Sequence, residues 1–285
     1  MDRLVDWITD NKVPVGDWMA DVVEFIKDNT LSFFDILAAT ISFIVDGFTG
    51  VLEWVPAPIL IVVLALAAYA VRRSLSLAGL VVFALLFVLN QGYWNETMET
   101  LSLVLFSALF STMIGVPLGI AAAHRPWLFA AMRPVLDLMQ TLPTFVYLLP
   151  TLVLFGLGTV PGLISTIIFA IPAPVRLTHL GITSVPRPLL EAGEAFGATR
   201  RQLLWKVELP SARPTIFAGI TQCIMLSLSM VVIAALVGAG GLGVPVVRAL
   251  NQVKVGMGFE AGFAIVLVAI VLDRVCRPPE AAHPR

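Results

Sequence analysis

Of the 285 residues, 58% are hydrophobic and 13% charged, with a mean hydropathy of +0.93. An average soluble domain carries about twice that share of charge, so a water-soluble globule is excluded. The 18 Lys and Arg nearly balance the 19 Asp and Glu, for a net charge of −1, which leaves no basic surplus for a phosphate backbone and excludes nucleic acid as a partner. The two cysteines, Cys223 and Cys276, fall in no pairing or ligand spacing, so neither a disulfide framework nor a zinc site is expected.

The chain opens on an acidic leader. Asp2, Asp6, Asp10, Asp17, Asp21, Glu24 and Asp28 stand against Arg3, Lys12 and Lys27, with no apolar core of the signal-peptide kind, so no cleaved leader is expected. Residues 31–54 are apolar, yet Ser32, Asp35, Ala39, Ser42, Asp46, Thr49 and Glu53 recur at alternating steps of three and four and line one stripe of a helix. Carboxylates are costly at bilayer depth, about 2.5 kcal/mol or more each, so an interfacial helix reads more easily than a span. Were the segment to cross, the crossings would number eight and the N-terminus would lie inside.

Seven apolar intervals then approach the roughly 20 residues that a hydrocarbon layer requires. They are Val55–Val71, Leu75–Tyr93, Leu101–Ala123, Leu138–Leu157, Val160–Ile182, Thr215–Val237 and Ala261–Cys276; the first and last are short, and the last contains Asp273. Basic residues resist translocation. With the N-terminus outside and the C-terminus inside, every Lys and Arg except Arg3, Lys12, Lys27, Arg248 and Lys254 falls on the cytoplasmic side, and Trp94 and Trp127 take opposite interfaces. The chain therefore divides into a leader, 1–54, a transmembrane domain, 55–277, and a cytoplasmic tail, 278–285.

Within this frame most familiar chemistry is absent. Gly238-Ala-Gly-Gly-Leu-Gly243 spells a dinucleotide fingerprint but follows an apolar span rather than a strand, so it reads as helix termination and close packing. His124, His179 and His283 have no second ligand at metal spacing, and no phosphate-binding G-x4-G-K-[S/T] loop exists. Neither a metal nor ATP is expected on this chain.

The longest hydrophilic interval after the leader is Arg187–Pro214, on the cytoplasmic side. Pro188 suits a first helical turn, Glu191 and Glu194 lie toward its positive end, and Gly197 can close it in a left-handed conformation. Thr199-Arg-Arg-Gln202 matches a capping box for a second helix, which Pro210 is expected to stop. Leu189, Ala192, Phe196, Leu203 and Val207 give the pair a small apolar face. Two short helices bent at Gly197 make a knob.

The spacing Glu191-Ala192-x4-Gly197-x9-Val207-x-Leu209-Pro210-x3-Pro214 resembles the "EAA" motif of permease subunits of bacterial ABC importers, with Val207 in place of Ile and Gly193 where many members carry Ala or Ser. The segments Asp137–Pro150, Leu154–Gly162, Ile168–Thr178 and Leu226–Ala235 are similar to the permeases for glycine betaine, proline betaine and choline, a likeness running from about Leu101 to Asp273. The resemblance implies an all-α integral membrane protein with the fold of type I importer permeases. It also implies that 187–214 is the loop gripped by a separate ATPase subunit, through Glu191, Ala192, Phe196, Gly197, Leu203, Leu209 and Pro210, with Phe196 and Leu203 as buried anchors. ATP and Mg belong to that partner, an external solute-binding protein supplies ligand, and a second permease copy completes a homodimer.

Pro117, Pro143, Pro150, Pro161, Pro172 and Pro174 lie in or beside spans, where broken helices are tolerated chiefly against protein or a watery cavity. A quaternary ammonium ion donates no hydrogen bond, so its path calls for aromatic faces, sulfur and hydroxyls. Phe145, Tyr147, Met225, Ser227, Ser229 and Met230 are of the right kinds, and with the helix-breaking Pro143 they are the path candidates on the fourth and sixth intervals. The expected function is a membrane-spanning subunit of an ATP-driven importer for choline or glycine betaine, with proline or an amino acid as an alternative solute. An ion-coupled secondary transporter calls for ionisable groups within spans, which the uncharged stretches 101–123, 138–175 and 215–247 lack.

Overall fold

The computed structural model describes Thr9 and residues 14–277, so the tail 278–285 with His283, and Asp2, Asp6 and Asp10 of the acidic leader, lie outside the described residues. Every regular element among the described residues is helical. The first, α1 (Val15–Trp54), bends at Thr30, whose φ of −136° departs from helical geometry. Its second half, the segment read from sequence as amphipathic, lies on the bundle through Val45 and through edge-to-face rings, Phe34 on Phe155 at 5.2 Å and Phe48 on Phe106 at 5.4 Å. Asp35, Asp46 and Glu53 stay exposed. By length and apolarity Gly16–Trp54 could also cross a membrane.

Helices α2 (Ala57–Arg72) and α3 (Leu75–Asn90) form a hairpin. Ile61, Ala65 and Ala68 interlock with Leu77, Val81 and Leu85, and Val271 and Val275 pack on this cluster from the last helix, α13 (Val255–Cys276). Each hairpin helix has 16 residues, about 24 Å at 1.5 Å per residue, slightly less than a hydrocarbon core.

The centre of the molecule is three long rods: α4 (Trp94–Ala123), the continuous pair α7 (Thr159–Ala170) and α8 (Pro172–Thr183), and α11 (Leu209–Ala234). Helices in lipid gain little from burying apolar surface against one another, so close approach at small residues takes over. A Cβ on Gly115 would stand 2.7 Å from Pro174, and one on Gly119 2.6 Å from Thr178. On the opposite flank, a Cβ on Gly219 would meet Leu177 at 3.0 Å. Helix α8 is thereby wedged between α4 and α11. Pro172 and Pro174 are buried at that contact, and the chain passes through Ile171 without leaving helical geometry, so these prolines mark packing rather than a break.

One expected crossing is not a single helix. Residues 138–157 belong to α5 (Pro126–Thr141) and α6 (Thr144–Phe155), which meet at 97° across Leu142 and Pro143. Proline excludes its predecessor from the helical region, and Leu142 is extended at ψ 136°. Among the described residues five helices are long and apolar enough to cross, six if the bent pair is counted as one span, with α2 and α3 as shorter apolar helices.

After α11 a short 3₁₀ turn, Ala235–Val237, ends at Gly238 in the left-handed region, and the glycine-rich stretch folds back into the bundle before α12 (Gly243–Gln252). The Gly241 N–H donates to Glu99 Oε2 at 2.5 Å and the Leu242 N–H to Thr100 Oγ1 at 2.8 Å. Helix termination and close packing thus account for the fingerprint-like spelling. A Cβ on Gly243 would stand 2.3 Å from the Val231 carbonyl oxygen. We therefore expect Gly243→Ala to destabilise the protein by about 1–3 kcal/mol, the usual cost of overpacking, read as a lower melting temperature in detergent, whereas Gly79→Ala on α3, with open space at its Cβ, leaves it unchanged.

Candidate coupling and translocation sites

Between α8 and α11 the chain leaves the bundle as α9 (Arg187–Ala195) and the single turn α10 (Arg200–Leu203). Pro188 sits in the first turn of α9, which holds no acidic residue; Glu191 falls in the second turn, beyond the strongest part of the helix dipole. The helix closes by a Schellman motif: the Gly197 N–H donates to Glu194 O at 2.8 Å and the Ala198 N–H to Gly193 O at 3.1 Å. Gly197 carries the required positive φ, 75°. Two residues later, the Thr199 N–H donates to Gln202 Oε1 at 2.8 Å and the Gln202 N–H to Thr199 Oγ1 at 3.3 Å, the reciprocal box expected from sequence. The bend is therefore tied on both sides by backbone donors with partners.

Leu203, expected as a buried anchor in the partner's groove, is spent inside this chain instead. It is buried beneath α9, and its Cδ1 occupies the space a Cβ on Gly193 would fill, at 2.7 Å. That contact explains the glycine: Ala or Ser here would push the strut that spaces the two short helices. Phe196 stands at the other extreme, 91% exposed at the apex, with Glu191, Ala192 and Gly197 also exposed around it. A large ring fully in water on a rigid turn is a shape that calls for a partner.

Pro210 does not stop the second helix. Leu204–Glu208 form a π-helical turn in which the Leu209 N–H reaches back to Leu204 O, and α11 follows directly. Pro210 lies in the first turn of α11; the wide turn absorbs a position that has no N–H to give. Leu209 packs with Ile182, Ala212 and Ile216 at the foot of the knob, so the returning chain is a stiff rod running from Arg200 to Val237. At this root His124 Nε2, from the end of α4, lies 2.9 Å from Oε2 of the buried Glu208. No sequence pattern pointed to that pair, which joins positions 84 residues apart.

The residues chosen for a translocation path are distributed differently. Ser227 and Met230 are fully buried inside the chain, Ser227 donating to Cys223 O at 2.9 Å. Tyr147 is nearly buried and donates to the Met139 carbonyl, tying α6 back to α5. Phe145, Met225 and Ser229 are exposed, and Pro143 is exposed at the elbow. Met225 lines a cleft of about 640 Å³ between α11 and α13 with Gln222, Thr221 and Ala218.

A family model described as "Binding-protein-dependent transport system inner membrane component" matches residues 115–275, which include the whole knob. The chain is 46% identical to the glycine betaine transport system permease protein OpuAB of Bacillus subtilis (strain 168), across 96% of this chain and 91% of that protein. It is 43% identical to the glycine betaine/proline betaine transport system permease protein ProW of Escherichia coli (strain K12), across 96% and 77% respectively. Among solved structures, a chain of the MetNI methionine ABC transporter in an inward-facing crystal form superposes with a TM-score of 0.56, over 61% of this chain and 88% of that one, at 24% identity, a likeness of fold. The all-helical fold of type I importer permeases is the one found, and the chain belongs to the inner membrane components of binding-protein-dependent transport systems, in the branch that holds the glycine betaine permeases.

Proposed function

We propose that this chain forms half of the membrane pathway of an importer for a quaternary ammonium solute, glycine betaine or choline, and that two copies are clasped on the cytoplasmic side by two ATPase subunits. The observation that carries the reading is the rigid, exposed knob 187–214, with Phe196 at its apex and no ion pair at Glu191 or Glu194 among the described residues. Its shape suits a groove on a second protein. Ala192 and Gly197 permit close backbone approach, and Phe196 supplies the apolar anchor.

In this reading ATP and Mg bind the partner, and closure of the two ATPases carries both knobs together. Because the returning limb is continuous helix from Arg200 to Val237, displacement at the knob moves α11 as a rod, and the pathway alternates between outward and inward openings. Among the candidate residues we assign the lining to Phe145, Met225 and Ser229, a reading supported by their exposure. None carries a fixed charge that would trap a cation. An external binding protein supplies the solute, so this chain needs passage rather than tight recognition. The leader 1–54 sits at the outer interface, the transmembrane domain spans 55–277, and the C-terminus faces the cytoplasm of an inner membrane.

Two expectations test the reading. In vesicles holding the assembled complex, labelled glycine betaine, choline and proline are offered side by side, each with its binding protein; uptake of a quaternary amine, blocked by vanadate and indifferent to an uncoupler, is the expected result. Proline alone, or collapse with the uncoupler, would contradict it. Second, Gly197→Asn should keep solute-dependent ATPase activity, because Asn accepts the left-handed region, whereas Gly197→Val should insert normally and lose that stimulation by about tenfold or more. The position has open space around it, so equal activity of the two variants would show that the bend is not what the ATPase grips.

A further inference from the structure

Helix α5 is poorly packed for an internal element. Of its 16 residues only Leu136 is fully buried, so its position is set by a few specific contacts rather than by a core. Those contacts fall on α8, which runs on toward the knob, and beside them the turn into α5 touches the knob's returning root. Arg176 of α8 donates to Asp137 Oδ1 at 2.6 Å, and the ring of Phe129 lies flat on His179 of α8, centroids 3.6 Å apart and planes 6° from parallel. Helix α8 then reaches Arg187, the start of the knob, after only Ser184, Val185 and Pro186. On the returning side, His124 lies one residue before the turn into α5 and meets Glu208 in the π-helical turn. At its far end α5 passes through the elbow at Pro143 into α6, and the Tyr147 hydroxyl is tied to Met139.

We propose that α5 is the bar that carries displacement of the knob into α6, and that Asp137, Arg176, Phe129 and His179 are positioning residues for coupling. The mechanics follow from the geometry. A shift of the outgoing root pulls α8, and through the ion pair and the stacked rings it pulls α5. Since α5 and α6 meet at 97°, motion along one becomes transverse motion of the other about Pro143. The exposed face of α6, with Phe145, moves with it. Without the clasp the knob still docks and the ATPase still turns over, but α6 does not follow. The inference rests on the knob being the ATPase seat.

The test uses the complete complex, permease with its ATPase and binding protein, reconstituted in vesicles, and reads solute moved per ATP hydrolysed. Asp137→Arg and Arg176→Asp singly should keep the ATPase subunit bound and its solute-stimulated hydrolysis near the parent level, while the transport ratio falls by about threefold to tenfold, as loss of one charge-assisted, half-exposed contact allows. The exchanged double variant should recover most of the ratio, which mere loss of packing would not permit. Phe129→Leu and His179→Leu keep the charges and remove the stack, and should lower the same ratio even if a charge variant fails to assemble. A ratio unchanged in all four single variants, or no recovery in the exchanged pair once it assembles, overturns the inference. Detachment of the ATPase in Phe196→Ala, beside a normal ratio in the α5 variants, condemns the bar and spares the seat; retention of full coupling in Phe196→Ala removes the seat itself and the inference with it.

Discussion

Two backbone hydrogen bonds, from Gly197 and Ala198 back to Glu194 and Gly193, turn the chain out of α9 and toward Thr199. They satisfy carbonyls that the end of a helix otherwise leaves to water. With the Thr199–Gln202 box on the other side of the bend and Leu203 wedged under Gly193, the knob has few soft torsions left. A flexible loop of the same length would take up a push by changing shape. In the proposed reading this one passes the push on, for its two limbs enter the bundle as α8 and as the rod that begins at Arg200.

What receives the push is built on the same economy. In a hydrocarbon surround helices hold together by close fit, and α8 is seated where Gly115 and Gly119 of α4 and Gly219 of α11 let backbones approach. Some of the polar groups inside tie helices together: Ser111 of α4 donates to Ile167 O at 3.3 Å, and Thr151 meets Ser165 at 2.7 Å. The glycine-rich return after α11 is pinned by Glu99 and Thr100. A core fixed in this way moves as helices, not as side chains, which suits an alternating pathway.

The parts legible in the sequence are those whose cause is local. Gly197, the Thr199–Gln202 box and Pro188 each act within four residues, and each was readable before any fold was known. So was the apolar content of the long helices, because lipid imposes length and composition directly. The misreadings have the opposite character. Pro210 reads as a stop, but a π-helical turn upstream accommodates it; Leu203 reads as an anchor buried in the partner, but the absent side chain at Gly193 lets it be buried within this chain. The 97° elbow lay inside what reads as one apolar interval. His124–Glu208, Arg176–Asp137 and Gly241–Glu99 link positions 84, 39 and 142 residues apart, and nothing at either position alone names the other. Among the path candidates, burial of Ser227 and Met230 was decided by the helix face they share with Cys223 and Val231, which composition does not specify.

The central claim is that the apex of the knob sits in a groove of the ATPase, inside the cell. A single cysteine placed at Phe196, in a chain whose Cys223 and Cys276 are replaced by Ser, tests it most directly through crosslinking with a short heterobifunctional reagent, thiol-reactive at one end and photoreactive at the other, in the assembled complex. The account predicts a crosslink to the ATPase subunit that weakens when nucleotide changes the complex, and no labelling of that cysteine by a membrane-impermeant thiol reagent added outside intact cells. Labelling from outside, or a crosslink to lipid-facing neighbours with none to the ATPase, would contradict it.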